Sequence, residues 1–194
     1  MKRRAFDSLV SVVGLFLAAI LIVAGSLLTW AHNFVTDEVH SQLSAQQIYF
    51  PPKGSEAIAG DEYAPVRQYA GQQLTTGAQA KVYADSFIGN HLKKAGGGLT
   101  YAQLSTKAQA NPDDKELAAK VATMFKGETL RGLLLNAYAF GTMGTIAGIA
   151  ALAAFIGGAV LLLLAGLGLW HSRRTSPDAE IPTVHTAPRI PVNA

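Results

Sequence analysis

The sequence predicts an all-α membrane protein. It reads as two transmembrane helices in an antiparallel hairpin, with long extramembrane extensions and a small helical extracytoplasmic cap. Three observations carry this reading. Charged residues make up only 15% of the 194-residue chain, against roughly 25% in ordinary soluble domains. Residues 8–30 and 132–172 contain no Asp, Glu, Lys or Arg, and a bilayer span needs about 20 such residues. The roughly 100 residues between the blocks suffice for one small domain. The absence of cysteine excludes a disulfide scaffold, a thiolate metal site and a Cys nucleophile. A dispersed net charge of +3 gives no footprint for nucleic acid.

Residues 1–8 are expected to lie in the cytoplasm, followed by a first span over 9–30. The 22 residues Leu9–Trp30 extend about 33 Å as a helix, against a hydrocarbon core of about 30 Å. Lys2, Arg3 and Arg4 precede the span, and Trp30 closes it as an interfacial indole. A signal peptide is the competing reading. Its apolar region is usually about 7–15 residues, and Thr29-Trp30-Ala31 is a poor cleavage site. Arg3-Arg4 loosely resembles a twin-arginine signal, but the core after it is too apolar. An uncleaved anchor is therefore expected.

Residues 31–145 are expected outside the cytoplasm. The first helix should continue past Trp30, because Phe34 or Val35, Val39 and Leu43 recur at helical spacing. Leu130, Leu134, Ala137 and Tyr138 form a matching stripe, so the two helices are expected to pair as a stalk. Pro51-Pro52 enforces an extended segment. A short helix is expected after Pro65 and an amphipathic helix over 76–95, ended by Gly96-Gly97-Gly98. Thr100 and Gln103 form a capping box opening a helix that carries Leu104. Asn111-Pro112-Asp113-Asp114 reads as a helix start, with Asn as cap and Pro at the first position. This cap is small for a self-sufficient core, so it should lean on the stalk or on a partner.

Leu133–Trp170 would extend about 57 Å as one helix. No Pro, Asn or Asp interrupts 140–170, so a tight hairpin inside it is not expected. The second span is placed at 146–170, with 130–145 in the same helix outside the bilayer. His171, Arg173 and Arg174 follow at once and mark a cytoplasmic boundary. A multi-pass plasma-membrane protein with both termini cytoplasmic is expected. The tail 171–194, with prolines at 177, 182, 188 and 191, reads as disordered.

Candidate chemistry is sparse, and no catalytic, cofactor or metal residues are assigned. The five histidines show no metal-ligand spacing. His32 and His40 could share a helix face, which a solvated stalk explains. Asp85, Ser86 and His91 form the only compact hydrolase-like set, but Ser86 and His91 point about 140° apart on a helix. Neither span contains a charge, which argues against a self-contained ion-coupled carrier. Glycine is the more informative residue. Gly144 and Gly148 form a small-x-x-x-small pair, and Gly14, Ala18 and Gly25 lie near one face of the first helix. These five are the candidate helix-packing residues, within the chain or between chains. Gly157, Gly158, Gly166 and Gly168 do not all share a face with that pair, which leaves small surface for an intermolecular contact. Ile48, Tyr49, Phe50, Pro51 and Pro52 are the candidate partner-binding residues, since their aromatics have few obvious partners within the chain.

The stretches QQIYFPPKGSEAI, YAGQQLTTGAQAKVYADSFIGNHL and FKGETLRGLLLNAYAFGTMG resemble blocks of a group of actinomycete two-helix membrane proteins. That group has no established activity. The resemblance covers most of the chain up to about Trp170. It implies an extracytoplasmic helical domain in a Gram-positive plasma membrane and supplies no catalytic residues. The leading expectation is a non-enzymatic interaction protein or accessory subunit. Its partners would be the lipid bilayer and a membrane protein or a second copy of itself. The alternatives are an extracytoplasmic sensor or ligand-binding module, and a homo-oligomeric channel.

Overall fold

A computed structural model describes residues 3–174 and Ser176, and every regular element among them is helical. Six α-helices follow in order: α1 (Arg3–Ala45), α2 (Ala64–Arg67), α3 (Gly77–Val82), α4 (Gly89–Ala95), α5 (Tyr101–Ala110) and α6 (Lys115–Arg174). A π-helical turn, Tyr83–Ile88, joins α3 to α4, and single 3-10 turns occupy Glu56–Ile58 and Asp61–Tyr63. The only pairing of extended backbone among the described residues is an isolated antiparallel bridge, Tyr49 to Gln73. The expectation of a disordered tail over 171–194 is corrected at its start, because residues 171–174 continue α6 as helix, and beyond Ser176 it lies outside the described residues.

The helices α1 and α6 run 43 and 60 residues without interruption. Both are long and apolar enough to cross a membrane, and they pack together. The chain forms two compact units, Met1–Leu27 with Ala150–Ala194, and Leu28–Ile149.

In the first unit the buried positions recur every seven residues. On α1 they are Ser11, Ala18 and Gly25, and on α6 they are Ala151, Gly158, Ala165 and Ser172. A period of seven is that of helices wound as a left-handed supercoil. All seven side chains are small. Leucine, valine, isoleucine and phenylalanine take the outward positions instead, as at Val12, Phe16, Ile20, Val23, Ile156 and Leu163.

The second unit has a conventional apolar core. Phe50, Ile58, Val66, Leu74, Ala80, Ala84 and Leu104 fill it, together with Leu43 from α1 and Met124 and Leu134 from α6. The cap thus borrows core residues from both long helices. Its local starts and stops follow the sequence closely. Thr76 caps α3, and Gln79 reaches back to the Thr76 N–H at 3.1 Å. Thr100 and Gln103 repeat that box at α5. A Schellman closure ends α4, in which Gly98 N–H donates to the Lys93 carbonyl and Gly97 N–H to the Lys94 carbonyl. Gly97 sits at φ +62°, where glycine escapes the penalty of a side chain.

Two further sequence expectations are corrected. The last long helix is capped by Asp114, not Asn111. Asp114 accepts from the Leu117 N–H at 2.9 Å, so α6 begins three residues later than expected. Asn111, restricted by the following proline, instead donates to the Lys107 carbonyl and closes α5. The second correction concerns Ile48–Pro52. Phe50 does not lack partners within the chain. Phe50 is 2% exposed, lies with its ring tilted 38° to that of Tyr69 at 5.2 Å and meets Tyr83 edge-on at 5.2 Å. Two backbone bonds hold it there, from Phe50 N–H to the Gln72 carbonyl and from Leu74 N–H to the Ile48 carbonyl.

This placement separates two neighbours. Phe50→Ala should cost about 3–5 kcal/mol of cap stability, the range for truncating a buried phenylalanine. Tyr49→Ala, at a residue 58% exposed, should stay within about 0.5 kcal/mol, as exposed substitutions do. Thermal unfolding of the two variants side by side checks both.

Candidate functional site

The first candidate feature is the contact between α1 and α6 within each unit. In the first unit, Gly14 faces Ala165, and a methyl built on Gly14 would meet the Ala165 Cβ at 3.4 Å. Gly158 lies over the Ala18 carbonyl, and Ala18 is fully buried. Gly25 lies under the Phe155 ring, which a Cβ there would meet at 3.0 Å. Gly168 closes on the Ser11 hydroxyl. That hydroxyl donates to the Asp7 carbonyl at 2.7 Å, so a buried serine serves as a small residue without an orphaned donor.

In the second unit, Gly144 packs against Val35 and Thr36, and Gly148 against the His32 ring. His32 Nδ1 donates to the Gly144 carbonyl at 2.7 Å, which fixes the proton on that nitrogen. All five candidate packing residues therefore face a helix of the same chain. The small surface inferred at residues 157–168 is mostly consumed as well. Gly157, Gly158 and Gly168 are in contact with α1, and only Gly166 opens onto empty space.

The cap adds contacts that pattern reading missed. Gly77 and Gly141 touch backbone to backbone, since a Cβ on Gly141 would meet the Gly77 Cα at 3.3 Å. Leu92 fills the space over Gly127. The signal for the α1–α6 seam was available as small residues recurring every seven positions. Nothing in the sequence marks the Gly77–Gly141 pair, 64 residues apart.

The titratable residues form two surface networks. Asp85 receives Lys81 Nζ at 2.8 Å and Arg131 at 3.0 Å, and Arg131 also reaches Glu128 at 3.4 Å. The Lys81 hydrogen bond, with Arg131 behind it, holds the Asp85 carboxyl below its usual range despite some burial. Burial opposes the charge on Arg131, and its bonds to Asp85 and Glu128 outweigh that opposition. In the second network, Lys94 bonds Glu62 at 2.8 Å and lies 4.9 Å over the Tyr63 ring. Its hydrogen bond lowers the Glu62 carboxyl and raises the Lys94 amine. Burial raises the Tyr83 hydroxyl.

The hydrolase-like set is not assembled. Asp85 is committed to the two cations, and His91 Nδ1 donates to the Phe87 carbonyl at 2.8 Å. Among the described residues, no group of three His, Asp or Glu side chains could hold a metal ion. His32 and His40 do line one open cavity of about 400 Å³, with Asp37, Thr76 and Thr142.

No family model, curated protein or solved structure matches this chain. The geometry alone carries the functional argument. Its second feature is an apolar groove of about 430 Å³ between α1 and α6 in the second unit. Leu43 and Leu134 form its floor, and the exposed Phe34, Leu133 and Phe140 form its walls.

Two outcomes follow. Gly158→Leu, at a site with the Ala18 carbonyl 3.5 Å away, should lower stability by about 1–3 kcal/mol through overpacking. Gly166→Leu should leave the melting temperature of the solubilised protein unchanged. For Asp85, a carboxyl lowered in the folded state contributes stability above its unfolded value. That contribution disappears as pH falls through the folded value. Asp85→Asn should therefore flatten the acid limb of a stability–pH curve below about pH 4. The loss near neutrality should be under about 1 kcal/mol, because the pair is solvent-screened.

Proposed function

We propose that this chain is a two-span membrane protein of the plasma membrane. In this reading it is a non-enzymatic interaction or accessory subunit, with residues 31–145 presented outside the cytoplasm. One observation carries the membrane reading. Along the first unit the small residues are inside and the large apolar residues outside. Leu163 is 69% exposed and Phe16 67%, while Ala18 and Ala165 are buried. Water would favour the reverse distribution, because burying a large apolar side chain gains about 1.5–3 kcal/mol. Lipid removes that preference and leaves close backbone packing as the drive for helix association.

The contact pairs Gly14–Ala165, Ala18–Gly158 and Gly25–Phe155 run in opposite sequence directions, which supports an antiparallel hairpin. The basic residues Arg4, Arg173 and Arg174 then fall at one end, and the positive-inside tendency assigns that end to the cytoplasm. The unassembled Asp85, Ser86 and His91 favour an interaction role over catalysis. Membership of the actinomycete two-helix group belongs to the same proposal.

The natural absence of cysteine makes the test clean. Single variants Ala110→Cys and Ser176→Cys are expressed in cells and treated with a membrane-impermeant maleimide. Ala110→Cys should label in intact cells, and Ser176→Cys only after permeabilisation. Equal labelling of both in intact cells would sink the topology. Recovery of the protein in the soluble fraction after lysis would sink the membrane reading itself.

A further inference from the structure

Charge is handled differently in the two units. In the second, Lys81, Lys94, Lys120 and Arg131 each reach a carboxylate at 2.8–3.5 Å. In the first, Arg4, Arg173 and Arg174 are exposed and join no ion pair among the described residues. Residues 1–7 and 173–176 hold five basic side chains and one acidic, Asp7. One Asp7 carboxylate oxygen is closed off from solvent. The end of this unit is therefore a surplus of cations without counterions in the protein.

The register of α1 against α6 gathers them. Gly168 closes on the Ser11 hydroxyl. Arg4 lies seven residues before Ser11, and Arg174 six residues after Gly168. In the antiparallel hairpin proposed above, both reach the same level to within about 1.5 Å along the axis. The Arg174 guanidinium lies 4.2 Å over the Trp170 ring. Stacking occupies its face and leaves its N–H edge free to donate. Trp170 is itself 55% exposed, and indoles settle at the headgroup level of a bilayer. A guanidinium fork matches phosphate oxygens two at a time.

We propose that the inner ends of α1 and α6 hold the phosphate of an anionic membrane phospholipid, with Arg4, Arg173 and Arg174 as its donors. A zwitterionic lipid would bring its own ammonium to an end that is already cationic, so the anionic head is preferred. The lipid source rests on the membrane reading above. The unpaired arginines and the Arg174–Trp170 stack are independent of it.

The test uses the purified full chain in a neutral detergent, observed by native mass spectrometry. Phosphatidylglycerol and phosphatidylcholine with identical acyl chains are titrated in turn. Phosphatidylglycerol adducts are expected to be at least about fivefold more abundant at equal lipid concentration. The combined variant Arg4→Gln, Arg173→Gln, Arg174→Gln should remove that excess and leave phosphatidylcholine adducts unchanged. The variant Lys53→Gln, Lys107→Gln, Lys115→Gln takes the same charge from exposed lysines of the second unit and should keep the excess. If the arginine variant melts early, Arg174→Gln alone is set against Lys107→Gln alone, with a loss of at least about half the excess expected. Glycerol 3-phosphate at millimolar concentration should leave the lipid adducts in place.

Equal adducts of the two lipids would overturn the proposal. So would an excess that survives in the arginine variants or disappears in the lysine variants. Displacement by glycerol 3-phosphate would assign the arginines to a soluble phosphate instead. Each of these results leaves the membrane reading standing. Recovery of the chain from the soluble fraction would overturn that reading and this proposal together.

Discussion

Close approach of two helix backbones sets the terms for this molecule. Gly14, Ala18, Gly25, Gly158 and Ala165 leave no side chain large enough to hold α1 and α6 apart. A single added methyl at Gly25 would meet an aromatic ring at 3.0 Å. The seven-residue recurrence keeps this thin edge on one side of each helix over many turns, as a supercoil requires. Small residues bury little apolar area, so the seam gains from dispersion and close fit more than from expelled water. The large apolar side chains are left on the outside, and that is the physical ground for reading these segments as lipid-facing.

The cap solves a different problem with the same two helices. Its core is not closed by its short elements alone. Leu43, Met124 and Leu134 from α1 and α6 complete the core around Phe50 and Leu74. Gly77 against Gly141, and Leu92 over Gly127, bring α3 and α4 tightly onto α6. The Arg131–Asp85 pair joins the π-helical turn to α6 on the surface. Phe50 in the core and Tyr49 on the surface show how one extended segment serves both sides of the fold. Within the candidate binding stretch 48–52, Phe50 is a structural anchor.

Asp85 is engaged by Lys81 and Arg131, and His91 Nδ1 donates to the Phe87 carbonyl. The open apolar groove lies on the long helices and not among the cap helices.

Much of the fold was legible in the sequence, because it depends on local rules. Charge-free length, the 3.6-residue period, Thr76 and Thr100 as caps and Gly97 as a terminator act over a few residues. The cap of α6 was misplaced because Asn111 and Asp114 both satisfy the local pattern, and only the course of the chain after α5 chooses between them. The inward direction of the glycines, the burial of Phe50, the Gly77–Gly141 contact and the groove were decided by tertiary structure. Each depends on which surface meets which across 18 or more residues of intervening chain. Periodicity fixes the faces a helix has; only packing fixes what each face touches.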